Sequence, residues 1–233
     1  MTEMLEVNTQ RNISDSLKQK MREQIDDTST DMHAHIQTLM LIATRCNTVL
    51  ELGVRSIQST WGLLGGLSAE SFGVAVIVNE RQLGFASPKK LTSVDIEDPS
   101  IHGSDIQEVY TIAEENGVNF DFIKGDTLTV DIPDEQYDAI FFDTDHTYEQ
   151  LSAELKRFGP MAKTWMMFHD VARFGKVLIP AINEWLDENP EWIIVPNLST
   201  NQCMGFLTLA RMTKENWESQ HNMKYTDLYN KML

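Results

Sequence analysis

At 233 residues, with 42% apolar and 23% charged side chains, the chain is long enough for one substantial α/β domain and has a globular rather than a disordered composition. Its 19 Lys and Arg stand against 35 Asp and Glu, a formal net charge of −16, and so acidic a protein repels polyphosphate backbones, which argues against nucleic acid as a partner. The longest apolar runs, such as 39–43, fall far short of the roughly 18 residues that span a bilayer, which argues against a membrane partner too.

The N-terminus, from Met1 to Glu6, has neither the basic region nor the apolar stretch of a secretion signal. Cys46 and Cys203 are too few for a disulfide scaffold or a structural zinc site. A soluble cytoplasmic protein is expected. Residues 1–30 read as a polar arm in which Leu17, Met21 and Ile25, four apart, predict a short amphipathic helix. Its expected use is as a solvated arm or a contact between copies in a homo-oligomer. Asp31 is placed to cap the next helix, where Ile36, Leu39, Met40 and Ala43 follow the spacing of a packed helix face.

A strand follows at 48–52, stopping at Gly53, and then a helix at 59–64. The stretch 72–88 breaks the alternation: 72–80 looks like a strand and 84–88 like a loop, as in an inserted hairpin or flap. A strand resumes at 91–96, and helical spacing through Ile106, Val109, Tyr110 and Ala113 ends at the Asn116-Gly117 stop. Strands recur at 119–124, 138–142 and 164–168, the last two separated by a helix carrying Leu151, Leu155 and Phe158. A helix at 178–186 then precedes strands at 192–195 and 205–209. Strands alternating with helices predict an α/β fold, a Rossmann-like doubly wound and mainly parallel sheet covered on both faces. The last two strands have no helix between them and should form an antiparallel hairpin near one edge.

In such sheets ligands bind beyond the carboxyl ends of the strands, where the strand order reverses. Four of these ends are polar: Glu51 to Arg55, Asp95, Gly125-Asp126, and Asp143 to His146 together with His169-Asp170. The first loop is poor in glycine, with Arg55 two residues after Gly53 and Gln58 beyond, so a dinucleotide that needs close backbone approach is disfavoured. A nucleoside without phosphates asks for less: an acid after the first strand and one tight glycine. Asp95 can accept from both ribose hydroxyls, although a helix cap or a solvated turn explains it equally well taken alone.

Taken in order, ELGVRSIQST at 51–60, SVDI at 93–96, KGDTL at 124–128, DAIFFDTDHTYEQLSAEL at 138–155 and FHD at 168–170 resemble class I S-adenosylmethionine-dependent methyltransferases. The closest resemblance is to small-molecule O-methyltransferases and cephalosporin hydroxylase-like proteins. It covers 31–211 and implies a methyltransferase-like domain there, with 1–30 as an arm and 212–233 as a tail. It also implies S-adenosylmethionine as cofactor, with Glu51 and Gly53 at its methionine part, Asp95 on its ribose and Asp126 by its adenine. Ser59 and Asp143 join this cofactor-binding set. There are departures. Ile57 stands where the family usually has Gly, and a β-branched side chain there would crowd the amino-acid end of the cofactor. Met161 to Thr164 replaces the usual Pro-Gly-Gly turn.

Asp143 and Asp145 fall on one side of a strand end with His146 beyond them, and His169-Asp170 ends the next strand. Carboxylates with an imidazole can take a divalent cation such as Mg²⁺. Metal-dependent sugar and natural-product O-methyltransferases resemble this arrangement. That resemblance implies Asp143 and Asp170 as ligands, His146 as catalytic base and Asp145 as a ligand or a ligand's neighbour. His169 stands where those enzymes usually have Glu, so either it ligates a softer ion (Mn²⁺, Fe²⁺ or Zn²⁺) or the site has lost its ion. A plainer reading has Asp143 and Asp170 capping helices and His169 bonded to backbone. Of the remaining candidates, His33 and His35, two apart, cannot share a helix face and read as surface or interhelix residues. Trp185 and Trp192 read as packing, and Arg55 and Arg173 as surface cations or contacts for an anionic substrate group.

The expected function is methyl transfer to a small-molecule acceptor, at a hydroxyl oxygen, with His146 removing the proton and a cation assisting. A non-catalytic ligand-binding or assembly protein that keeps the fold is the rival, and Ile57 and His169 favour it. A hydroxylase-like or other nucleoside-dependent enzyme is the third expectation.

Overall fold

A computed structural model describes residues 13–69, 88–212 and 214–221. Its strands are β1 (Thr48–Leu52), β2 (Lys89–Asp95), β3 (Val118–Lys124), β4 (Tyr137–Phe142), β5 (Ala162–His169), β6 (Trp192–Ile194) and β7 (Phe206–Arg211). They form one sheet in the order β3-β2-β1-β4-β5-β7-β6. The first five pair in parallel, and β7 runs antiparallel between β5 and β6. This is the doubly wound sheet with an edge hairpin that the alternation predicts. Strand order reverses at β1, which lies between β2 and β4, so the loops leaving β1 and β4 part there and open a crevice at the carboxyl edge.

The side-chain alternation of each strand divides the core in two. Val49, Leu91, Ala139, Phe141 and Met167 pack on one face under α1 (Asp15–Asp26), α2 (Ile36–Ala43), α3 (Gln58–Ser68) and α4 (Ile106–Glu115). Leu50, Val94, Ile140, Phe142 and Phe168 pack on the other under α5 (Tyr148–Phe158) and α6 (Gly175–Glu188). Each fully buried Leu or Phe contributes about 1.5–3 kcal/mol, so strands buried on both faces read as unbroken apolar runs. Glu51 is the polar exception in β1. A further helix, α7, spans Lys214–His221.

The N-terminal helix forms as predicted. Ser14 accepts from the Leu17 N–H at its start, and Leu17 and Met21 are buried in the core that α3 shares. Gly65 and Gly66 permit this close packing, since a Cβ at these positions would strike Met21 and the Met40 carbonyl. Asp31 makes no capping hydrogen bond. A 3-10 turn, Met32–Ala34, intervenes before α2. The stretch read as an insertion, 72–88, lies outside the described residues apart from Pro88, as do 1–12 of the arm and 213 and 222–233 of the tail. The flanks of that stretch, the end of α3 and the start of β2, sit at the amino edge of the sheet, opposite the crevice. No helix among the described residues is long and apolar enough to cross a membrane.

Candidate functional site

Beyond β1 the chain turns through Gly53, Arg55 and Ile57, at φ +91°, +46° and +54°. Gly53 is required, because a Cβ there would strike the Asp143 carbonyl. The Gly53 N–H donates to Val94 O at 2.9 Å and the Asp143 N–H to Leu52 O at 2.8 Å, which ties the loops after β1, β2 and β4 together. Alternation of hand turns successive N–H groups to one side and makes an anion-holding concavity. Its occupant is Asp95 Oδ2, which accepts from the Val54 and Arg55 N–H groups at 2.7 and 2.8 Å. Asp95 Oδ1 accepts from the Glu97 N–H at 2.8 Å. A loop poor in glycine thus takes a glycine-like path, at roughly 1–2 kcal/mol for each non-glycine residue forced left-handed.

Beside this loop lies a cavity of about 420 Å³ whose walls include Gly53, Arg55, Asp95, Ile96, Asp126 and Asp143. That is within the size range of sites for small organic ligands. Asp126 is exposed and accepts from the Leu128 N–H at 2.8 Å. Asp145 lines this cavity as well, and it is not in the cluster that could ligate an ion.

A second cavity of about 140 Å³ shares Gly53, Arg55, Asp143 and Thr144 with the first and adds Asp31, Ser59, His146, His169 and Asp170. His146 Nε2 lies 2.8 Å from Asp170 Oδ2 and 3.6 Å from Asp143 Oδ1. His169 Nδ1 lies 3.3 Å from Asp143 Oδ1 and 3.6 Å from Asp170 Oδ2. The His146 ring stacks on Phe174 with centroids 4.4 Å apart, and its short approach to Asp170 is an ion pair that falls outside hydrogen-bond geometry. Asp170 itself sits at φ +60°.

Charge dominates this cluster. Burial pushes the His146 imidazole down, but the carboxylates of Asp143 and Asp170 beside it prevail and lift it to about 9. Burial is likewise overcome at His169, which is raised by the same two carboxylates. Asp143 is held below the ordinary carboxylate range by His146 and His169, against its own burial. Between these two carboxylates His146 is held toward its charged form.

The strand-end reading brings Gly53, Asp95, Asp126, Asp143, His146, His169 and Asp170 to one edge, and it places other residues wrongly. Glu51 lines neither cavity. It is fully buried behind the rim, accepting from Ser59 Oγ at 2.6 Å, Thr60 Oγ1 at 2.9 Å and Ser93 Oγ at 2.5 Å. Burial lifts its carboxyl to about 7 in spite of these donors. Ser59 reaches the smaller cavity, but its hydroxyl hydrogen goes to Glu51. Ile57 points into the core, so it does not crowd the crevice, and its cost falls on the backbone instead. His35, read as a surface or interhelix residue, is buried between His169 and Phe206 and donates from Nε2 to Cys203 O at 2.9 Å. Its spacing to Leu39 and Ile42 on the packed helix face was the usable signal. Trp185 and Trp192 pack edge to face, as expected.

No protein-family model and no curated protein matches the chain. Solved structures do share its architecture. A protein from Corynebacterium glutamicum superposes with a TM-score of 0.57 at 13% identity, over 87% of this chain and 92% of that one. A methyltransferase from Geobacter sulfurreducens gives 0.54 at 13% identity, over 87% and 91%. The O-methyltransferase TomG from Streptomyces achromogenes, involved in tomaymycin synthesis and solved in complex with S-adenosylmethionine, gives 0.51 at 15% identity, over 87% and 91%. Identities this low establish the architecture and leave the chemistry to the residues. The chain has the Rossmann-like fold of the class I S-adenosylmethionine-dependent methyltransferases.

Proposed function

We propose that the protein transfers a methyl group from S-adenosylmethionine to a hydroxyl oxygen of a small molecule, with a divalent cation held beside the acceptor. The observation that carries this reading is the pair of adjoining cavities: a nucleoside-sized one edged by Asp95 and Asp126, and a small one holding His146, His169 and Asp170, with Asp143 and Thr144 in the wall between them. When bound, the cofactor supplies an electrophilic methyl on a sulfonium leaving group. The residues supply the rest. Asp95 has about four acceptor positions, three of them taken by backbone N–H groups. It therefore has room for one ribose hydroxyl rather than the two expected from sequence.

Asp143, His169 and Asp170 each offer a ligand atom, all within 4.8 Å of one another, and Asp170 Oδ1 is buried without a hydrogen-bond partner. This donor set fits a divalent cation, and its imidazole favours Mn²⁺, Fe²⁺ or Zn²⁺ over Mg²⁺. Such an ion would supply Lewis acidity that eases removal of the acceptor's proton. His146 takes that proton. The more Asp143 and Asp170 are engaged elsewhere, the less tightly they hold the proton already on His146, and the lower the pH at which it serves as a base. Ile57, one of the two features that favoured a non-catalytic protein, points into the core and no longer supports that rival.

Titration with S-adenosylhomocysteine tests the reading, with a saturable heat expected and no binding at millimolar ligand overturning it. Dialysis against a chelator should abolish methyl transfer, and Mn²⁺ should restore it. Chelator-insensitive activity in protein shown metal-free by elemental analysis would remove the cation and leave a metal-free methyltransferase.

A further inference from the structure

Helix α5 carries two stripes. Leu151, Leu155 and Phe158 face the core, as the sequence predicts. Gln150, Glu154 and Arg157 form a second, polar stripe against the loop after β3. Glu154 is completely buried. Its Oε1 accepts from Thr127 Oγ1 at 2.5 Å and from Gln150 Nε2 at 2.9 Å, and its Oε2 accepts from Thr144 Oγ1 at 2.8 Å. Gln150 Nε2 also donates to Thr127 Oγ1 at 3.0 Å. One turn further along, Arg157 donates from Nη1 to Thr127 O and from Nη2 to Val130 O.

A buried carboxyl is costly unless hydrogen bonds offset its desolvation, and a hydrophobic residue of like volume often does as well or better for stability. What the acid gains here is geometry. Thr127 follows β3 and Thr144 follows β4, two strands that are not neighbours in the sheet, and both threonines line the larger cavity. Thr144 also lines the smaller one, beside Asp143. One carboxyl holds both threonines, an oxygen for each. Burial pushes that carboxyl's pKa up against the pull of its three donors.

We propose that Glu154 is a positioning residue of the cofactor pocket, tying the loop after β3 to the turn after β4 from behind the wall and so fixing the gap that the nucleoside enters. This rests on reading the larger cavity as the S-adenosylmethionine site. The loop after β3 owes its position to α5, and the turn that carries Asp143 is held by the same carboxyl. Nucleoside binding and the placement of Asp143 are thus coupled through one buried side chain.

The experiment compares Glu154→Leu, Glu154→Gln, Thr127→Val and Thr144→Val in the full chain. It reads S-adenosylhomocysteine affinity by titration and backbone hydrogen exchange at 126–130 and 143–145 in the ligand-free protein. Glu154→Leu should bind about tenfold more weakly, and those amides should exchange about tenfold faster while the β4 and β5 amides stay protected. Glu154→Gln should recover part of the loss, because its amide oxygen still accepts on one side. Each threonine variant should lose about threefold in the parent and nothing further in the Glu154→Leu background. Phe158→Leu, on the apolar stripe of the same helix, is the control for general destabilisation. Affinity and loop exchange lost equally in Phe158→Leu, or unchanged exchange in Glu154→Leu, overturns the proposal. Should Glu154→Leu fail to fold, the threonine variants decide, and parental affinity and exchange in both overturn it. If the unaltered protein does not bind S-adenosylhomocysteine, the methyl-transfer reading falls, and the ligand-free exchange still judges Glu154.

Discussion

The two cavities share a wall but satisfy their polar groups in opposite ways. Along the larger one Asp95 is engaged by three backbone N–H groups, Asp126 by one, and Glu154 behind the wall by three side-chain donors. Around the smaller one the histidines meet Asp143 at 3.3 and 3.6 Å, and three buried polar atoms, His146 Nε2, His169 Nε2 and Asp170 Oδ1, have no hydrogen-bond partner. A buried polar atom left unpaired costs about 1–3 kcal/mol. Three non-glycine residues of the loops around the crevice, Arg55, Ile57 and Asp170, are left-handed, as expected where surrounding contacts over-determine the backbone.

The largest expected effect breaks the reactive half alone. His146→Ala should lower turnover by about 10²–10⁴-fold while leaving S-adenosylhomocysteine affinity within about twofold of the parent. A parallel loss of affinity would mean the two halves are not separable, and full turnover would remove His146 as the base. Asp95→Ala is the converse and next in size. It should weaken affinity by about 1–3 kcal/mol, because a charged acceptor is lost and the Val54 and Arg55 N–H groups lose the carboxylate that holds them. Unchanged affinity in Asp95→Ala would show that the second strand does not carry nucleoside recognition.

How much of this was legible depends on what each feature requires. The sheet was readable because parallel strands buried on both faces leave apolar runs, and because chemistry collects where such runs end. Asp143, His146, His169 and Asp170 all follow from that rule. The fate of Glu51 was not readable. Its donors come from α3 and β2, and Ser93 is 42 residues away, so a strand-end acid that serves the loop looks the same as one that serves a ligand. Ile57 was misjudged for a related reason: residue type does not reveal the sign of φ, and at φ +54° the side chain turns inward. The gathering of His146, Asp143 and Asp170 at one rim was legible, whereas the distances at which the two acids meet the imidazole, 3.6 and 2.8 Å, come only from the fold.

That electrostatic difference predicts a pH signature. His146 rises from 6.5 to about 9 on folding, so the stability it contributes is complete below 6.5 and lost as pH climbs through 9. Glu51 rises from 4.5 to about 7, so its contribution is complete below 4.5 and lost as pH climbs through 7. In metal-free protein the melting temperature should therefore fall with rising pH in two overlapping windows, from 4.5 to about 7 for Glu51 and from 6.5 to about 9 for His146. His146→Gln should flatten the upper window and Glu51→Gln the lower. Melting curves collected from pH 4 to 10 check both, and a descent that neither variant alters would assign it to other groups.

The smallest effect separates strain from crowding at Ile57. Replacing it with Gly relieves a left-handed backbone worth roughly 1–2 kcal/mol, but it also removes a side chain buried in the core, a loss of about 2–5 kcal/mol. The two terms oppose each other, so Ile57→Gly should lower stability only modestly. Ile57→Ala removes nearly the same side chain but keeps a Cβ on the left-handed backbone. It should therefore be less stable than Ile57→Gly by about 1 kcal/mol, the reverse of the usual order at a helical position. Denaturant unfolding of the pair measures that difference directly, and an alanine variant at least as stable as the glycine variant would contradict the left-handed turn. Cofactor affinity supplies the second axis. A side chain that points into the core leaves S-adenosylhomocysteine binding unchanged in both variants, whereas tighter binding in Ile57→Gly would show that the isoleucine reaches the crevice after all.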